Sequence, residues 1–155
     1  MRTGRRVAFD VGKARIGVAV SDFHAILASP SEHIKRTSDE QALTLMRDVL
    51  IESEAIEAYV GLPVNLRGES TESTKDAVAI AKQLADHTEI PIYLIDERLT
   101  TSVASKAMSN AGKSSKEQRG SIDSAAATVI LEQALEVERR NGAVSAILAK
   151  DYSDA

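Results

Sequence analysis

Two periodicities divide the chain. From residue 5 to residue 21 apolar residues recur at alternate positions, whereas after Ser38 they recur at helical spacing and then switch between the two patterns. A hairpin-forming start followed by alternating strands and helices leaves few options. It predicts an α/β fold whose mixed sheet carries helices on its faces. In Arg5-Arg-Val-Ala-Phe-Asp-Val-Gly12, Val7, Phe9 and Val11 point one way and Ala8, Asp10 and Gly12 the other. Gly12-Lys-Ala-Arg15 reads as a tight connection into a second strand, Ile16-Gly-Val-Ala-Val-Ser21. A third strand falls within 25–36, and Pro30 assigns it to an edge.

The rest follows in βα units. Ser38-Asp-Glu-Gln41 resembles a capping box opening a helix with Leu43, Met46, Leu50 and Ile51 at helical spacing. A strand over 56–62 stops at Pro63, and a polar loop over 65–70 leads to a helix over 72–87, with Ala77, Ile80, Ala81 and Leu84 on one side. The run 90–97 is apolar enough for a strand buried on both faces. Helices are expected over 101–110 and 122–139, with a loop over 112–120 between them. A chain of 155 residues is short for two domains. Residues 1–140 read as one domain, and 141–155 as a tail, either disordered or a short docked helix. Parallel crossover strands place ligand sites beyond their C-terminal ends, where Asp10 and Glu97 fall.

Composition removes several chemistries. There is no cysteine, so thiol catalysis, thiolate zinc sites and disulfide scaffolds are excluded. His24, His33 and His87 have no metal-ligand spacing. Apolar runs fall far short of the ~20 residues of a membrane span, and no signal peptide is visible, so the expected location is the cytoplasm. The 19 basic and 23 acidic residues give a net charge of −4, which argues against a protein that coats nucleic acid through overall charge.

Three acids stand out. Asp is depleted in strand interiors, and a buried unpaired carboxylate is costly. Asp10 therefore either closes its strand on the turn amides at Gly12 or faces a cleft as a metal ligand. Glu97, in Asp96-Glu-Arg-Leu-Thr-Thr101, shares a face with Tyr93 and Ile95; the alternative is a simple strand-to-helix turn with an Arg98 ion pair. Asp123 suits a first helical turn, but Ala126, Ala127 and Ile130 lie three, four and seven residues on along the same face. Three converging carboxylates repel, and a hard divalent ion with oxygen ligands, Mg²⁺ or Mn²⁺, relieves that repulsion. Such ions suit phosphodiester cleavage.

Four motifs then carry a resemblance. Asp10-Val-Gly12-Lys-Ala-Arg15-Ile-Gly17-Val-Ala-Val-Ser-Asp22, Gly61-Leu-Pro-Val-Asn65-Leu-Arg-Gly68, Asp96-Glu-Arg-Leu-Thr-Thr101 and Ile122-Asp-Ser-Ala-Ala-Ala127 resemble, in this order, the YqgF family. This is the family of pre-16S rRNA nucleases also described as Holliday-junction-resolvase-like, and the likeness covers about residues 5–138. It implies an RNase H-like fold with a five-stranded mixed sheet, strands one, four and five side by side. It also implies a metal-dependent nuclease whose acids fall on Asp10, Glu97 and Asp123. Two positions depart from the family's usual pattern, Ala14 and Arg67, and neither touches the carboxylates.

Holding nucleic acid needs local positive charge. The candidates are Lys113, Lys116 and Arg119 in the loop before Asp123, together with Arg15, Arg98 and, as a polar contact, Asn65. The expected activity is Mg²⁺- or Mn²⁺-dependent endonucleolytic processing of the 5′ end of pre-16S rRNA. The alternatives are resolution of branched DNA junctions, which favours a homodimer over a monomer, and a non-catalytic module binding ribosome precursors.

Overall fold

The structure, a computed structural model, describes residues 2–64, 67–97, 115–142 and 146–153; for 115–123 it describes the backbone alone. The strands are β1 (Arg6–Val11), β2 (Arg15–Ser21), β3 (Ala28–Lys35), β4 (Glu57–Leu62), β5 (Ile92–Asp96) and β6 (Ile147–Leu148). The helices are α1 (Asp39–Glu52), α2 (Glu72–His87) and α3 (Ser115–Asn141). The sheet order is β3-β2-β1-β4-β5-β6. β1, β2 and β3 pair antiparallel, β1, β4 and β5 pair parallel, and β6 is antiparallel to β5.

Alternation along β1 builds two cores. Val7 and Phe9 join Leu43, Met46 and Leu50 of α1 and Ala77, Ile80 and Leu84 of α2 on one face. Ala8 joins Tyr59, Ile95 and the α3 residues Ala127, Ile130, Leu131, Ala134 and Leu135 on the other. Ser38 caps α1 by accepting from the Gln41 amide, as the capping pattern predicted. Ile51, grouped with the apolar stripe of α1 by spacing, is instead exposed. β3 holds the expected edge, with Pro30 opposite Ala19.

Other expectations are corrected. The sheet has six strands instead of five, because residues 147–148 pair with the outer edge of β5, and Ala149 is buried behind them at the start of a 3-10 turn. An open strand edge presents unpaired amides and carbonyls, and even two residues satisfy some of them. Residues 115–120 are helical, not loop, and lengthen α3 by two turns. Lys116, Glu117, Gln118 and Arg119 are strong helix formers, and their propensity outweighs the ~1 kcal/mol cost of Gly120. The helix expected over 101–110 and the segment 112–114 lie outside the described residues.

Two polar features lock α3 to the sheet. The β2–β3 register shifts between Ile16 and Val18. Such a bulge locally breaks the ladder. The buried Ser124 hydroxyl bridges the break: its Oγ accepts from the Val18 amide at 3.2 Å and donates to the Ser31 carbonyl at 2.8 Å. Ser124→Ala leaves both backbone groups without that partner, so unfolding by denaturant should show a loss of roughly 2 kcal/mol. A loss under about 0.5 kcal/mol would mean that the hydroxyl is incidental. At the other end of α3, the buried Glu138 carboxylate meets Arg6 Nη2 at 2.5 Å and also pairs with Arg2. Arg2 reaches the buried Glu57 at 2.8 Å, and the Tyr59 hydroxyl donates to the same Glu57 carboxylate. Burial and the adjacent Glu57 carboxylate push the Tyr59 phenol well above its ordinary range.

Candidate active site

The parallel strands β1, β4 and β5 carry the site at their C-terminal ends. Phe9 of β1 is level with Val60 of β4, and Gly61 is level with Ile95 of β5. Asp10 therefore lies beside Gly61, and Glu97 follows β5 two residues beyond Ile95. Both acids sit on the α3 face of the sheet, because Phe9 and Leu94 belong to the opposite core. The two carboxyl groups share a hydrogen bond. The sheet brings together two acids that are remote in the chain, as the sequence predicted for Asp10 and Glu97.

Gly61 makes that approach possible. A Cβ at this position would overlap Glu97 Oε1 and come within 2.6 Å of Ile130 Cδ1. No side chain fits between the two acidic strands, so Gly61→Ala would force Glu97 away from Asp10. The sequence reading placed Gly61 in a motif but gave it no role. The signal available was a glycine near the end of an otherwise apolar strand, which marks a close approach.

Burial pushes the Glu97 carboxyl up to about 8, helped by the hydrogen bond to Asp10 and by the charges of Asp10 and Asp96. At neutral pH Glu97 therefore keeps its proton unless a counter-charge takes its place. The two carboxyls hold a proton between them or they share a cation. The donor set is all oxygen and partly buried, which fits a hard divalent ion. Among the described residues no group of three metal-ligating side chains assembles. Asp123, the third acid named by the sequence, lies on the α3 backbone one residue before Ser124, and its side chain is outside the described ones. Of the three residues expected to carry this helix against the sheet, Ala127 and Ile130 are buried there and Ala126 is half-buried.

The raised Glu97 value has a stability consequence. Glu97 ionises near 4.5 when unfolded and near 8 when folded without metal, so between those values the folded state binds the extra proton. Its contribution is complete below about 4.5 and is lost as pH rises toward about 8. In chelator, thermal melts of the parent should therefore fall across that window. Glu97→Gln, which cannot ionise, should lack this component and melt above the parent by several degrees at about pH 8. Superimposable pH profiles for the two proteins would show that Glu97 is not proton-bound in the folded state.

The turn that follows β1, two residues beyond Asp10, is braced by Arg36, to which the sequence pattern gives no role. Arg36 Nη1 donates to the Gly12 carbonyl at 2.9 Å, while its guanidinium holds Asp76 of α2 at 2.6 and 2.7 Å and Asp39 of α1 at 2.8 Å. The guanidinium holds the Asp76 carboxyl below the usual range. Arg36 follows β3 directly, next to Lys35, where a pair of basic residues looks like surface.

Of the predicted nucleic-acid contacts, Arg15 opens β2 and is exposed. Lys116 and Arg119 lie on the α3 backbone with side chains outside the described ones, and Asn65, Arg98 and Lys113 lie outside the described residues. Among the described residues no helix is long and apolar enough to cross a membrane.

Comparison with known proteins adds family information to this geometry. A family model described as "RuvX: Holliday junction resolvase" matches residues 4–137. A protein of Clavibacter michiganensis subsp. michiganensis named "Putative pre-16S rRNA nuclease" is 47% identical over 143 residues, 92% of this chain and 89% of its own. A Streptomyces coelicolor protein of the same name is 43% identical over 143 residues, 92% of this chain and 86% of its own. Among solved structures, T. thermophilus RuvC in complex with a Holliday junction substrate aligns with a TM-score of 0.61 at 15% identity, over 94% of this chain and 99% of that one. At that identity the likeness speaks for the RuvC-like, RNase H-like fold alone.

Proposed function

The chain belongs to the RuvX family, and from that premise we propose that it is a cytoplasmic, metal-dependent endonuclease that processes the 5′ end of pre-16S rRNA. The observation carrying this reading is the Asp10–Glu97 pair, two carboxyls sharing one hydrogen bond beside a glycine that leaves no room for a side chain. The names of the relatives support RNA as substrate. Residues 1–140 act as one nuclease domain, onto whose sheet and core residues 147–149 of the tail dock.

Mg²⁺ or Mn²⁺, when bound, supplies Lewis acidity toward a phosphoryl oxygen. Asp10 and Glu97 hold it from the sheet, and Asp123 completes the set from α3. Burial and the neighbouring Asp10 favour a proton on Glu97, so loading the cation is coupled to release of that proton. Arg15, Asn65, Arg98, Lys113, Lys116 and Arg119 contact the nucleic acid around the site.

One observation favours a second substrate. The family model carries the description Holliday junction resolvase. Junctions are near two-fold symmetric, so that reading calls for a homodimer, whereas rRNA trimming is open to a monomer. The test is a cleavage panel with Mg²⁺ and with Mn²⁺ over a precursor 16S fragment, an RNA hairpin and a four-way DNA junction, with light scattering of the free protein. Metal-dependent cutting of the precursor at its 5′ side supports the proposal. Cutting of the junction alone by a dimer supports the alternative, and no cutting of any probe with either metal leaves a binding module.

A further inference from the structure

β4 ends between the two acidic strands, and the chain that leaves it is held by a buried hydroxyl on α2. Leu62 is level with Asp96 of β5, so Pro63 leaves the sheet at the level of Glu97. It lies roughly 7 Å along the strand from Gly61, where the lack of a Cβ makes room for the Glu97 carboxylate. Residues 64–70 then form a loop that closes on itself, because Val64 and Ser70 pair as an isolated antiparallel bridge. Arg67, Gly68, Glu69 and Ser70 are exposed, and Gly68 takes a φ of 80°, the left-handed region that favours glycine. Asn65, a nucleic-acid contact in the proposed function, belongs to this loop.

Thr74 shuts the neck of the loop. It is fully buried in the first turn of α2. Thr71 Oγ1 accepts from the Thr74 amide at 3.3 Å, and Thr74 Oγ1 accepts from the Thr71 amide at 2.9 Å. Those two bonds complete a capping box, which is usually closed by Glu or Gln. An ionised Glu in that position could only accept. Thr74 also has a hydroxyl proton, and it goes to the Pro63 carbonyl. Proline has no amide, so that carbonyl is the one backbone polar group Pro63 offers. The bond adds nothing to the cap of α2. What it fixes is the path by which the chain leaves β4 and returns at α2.

We infer that Thr74 is a positioning residue of the nuclease site: it clasps the base of the 64–70 loop, and the loop seats the sugar-phosphate chain beside Asp10 and Glu97. This rests on the nuclease reading and deepens it. Loops set on a rigid scaffold commonly carry recognition, and this one starts at the strand between the two acids. Thr74 itself lies in the α2 layer, whereas the acids face α3. The clasp therefore acts on how well substrate is held and leaves the chemical step alone. Such an interaction moves KM and not kcat.

The test compares Thr74→Val, which keeps the shape and deletes the hydroxyl, with Thr74→Ser, which keeps the hydroxyl. Hydrogen exchange reads the amides of residues 67–70. Fluorescence anisotropy in chelator reads Kd for a labelled precursor-16S hairpin, and cleavage of that hairpin with Mg²⁺ reads KM and kcat. Thr74→Val should quicken exchange in the loop and raise Kd and KM about tenfold, the factor that one net hydrogen bond represents. Its kcat should stay within about twofold of the parent, and Thr74→Ser should restore every value. Glu138→Gln, which loses stability at the other end of the sheet, should leave Kd, KM and loop exchange parental. A second variant with two glycines inserted after Gly68 leaves Thr74 in place, costs little stability and should raise Kd in the same way, so the inference stays testable even if Thr74→Val does not fold. Parental Kd in the insertion variant, a Thr74→Val loss confined to kcat, or no rescue by Thr74→Ser would overturn it. If the parent cuts and neither variant moves Kd, the clasp alone is wrong. If the parent binds without cutting while both variants raise Kd, the loop stands as a binding device and the nuclease reading falls. A parent that neither binds nor cuts overturns both.

Discussion

Asp10→Asn is expected to abolish cleavage while leaving the metal-free fold at least as stable as the parent. The two effects have one cause. In the parent, Asp10 and Glu97 share a hydrogen bond, and their repulsion helps burial raise the Glu97 carboxyl. An amide at position 10 removes the second negative charge, so in chelator the protein should melt no lower than the parent. On the proposed function, the same change removes one of the two carboxylates that hold the cation from the sheet. Metal-assisted charge stabilisation is worth several kcal/mol, and ~4 kcal/mol corresponds to about a thousandfold in rate. Cleavage at saturating Mg²⁺ should fall by at least that factor. The rise in melting temperature that saturating metal gives the parent should vanish with it, because a ligand stabilises only the state that binds it. If the variant still cuts within tenfold of the parent, or still gains the full metal-induced stabilisation, the carboxylate pair is not the metal site.

The acids were legible in the sequence for a simple reason. A carboxylate in an alternating apolar strand, or at the end of a run buried on both faces, breaks a pattern. Asp10 and Glu97 each did so, whereas the closeness of their strands was implied by the family likeness and not by the order of elements alone. Asp123 broke no pattern, since an acid in a helix invites a solvated reading, and only spacing to Ala127 and Ile130 and the family likeness drew it in. What the sequence could not show depends on register. Ser124 matters because the β2–β3 ladder shifts at one point, and period-two alternation does not reveal a single inserted residue. Gly61 had the right composition for a close approach but no visible partner until Glu97 was placed against it. β6 is two residues long, below the length at which alternation carries information. Arg6 and Glu138 are 132 residues apart, and each alone reads as an ordinary surface charge.

That last pair carries the largest expected loss of stability. Glu138→Ala should cost roughly 3–5 kcal/mol, because the Arg6 guanidinium stays buried without its carboxylate. Arg6 and Glu138 side chains are 0% and 1% exposed, whereas Arg2, the other partner of Glu138, is 51% exposed and can turn to water. Arg6 also donates to the Arg2 and Gly4 carbonyls, so its position is fixed by backbone and it cannot follow. For a chain of this size the cost corresponds to a fall in melting temperature of roughly 10 °C. Glu138→Gln keeps an acceptor for the guanidinium and should lose less, and replacing Arg6 and Glu138 together with apolar residues of similar volume should recover much of the loss. A Glu138→Ala cost under about 1 kcal/mol, or a double replacement as damaging as the single one, would show that the pair is not a closed buried unit. Activity gives the independent reading. Arg6 opens β1 and Asp10 lies four residues on, roughly 13 Å along the strand, so protein that remains folded should cut at the parental rate. The base of the sheet then sets how long α3 stays docked, and the proposed function places the chemistry with the carboxylates at its other end.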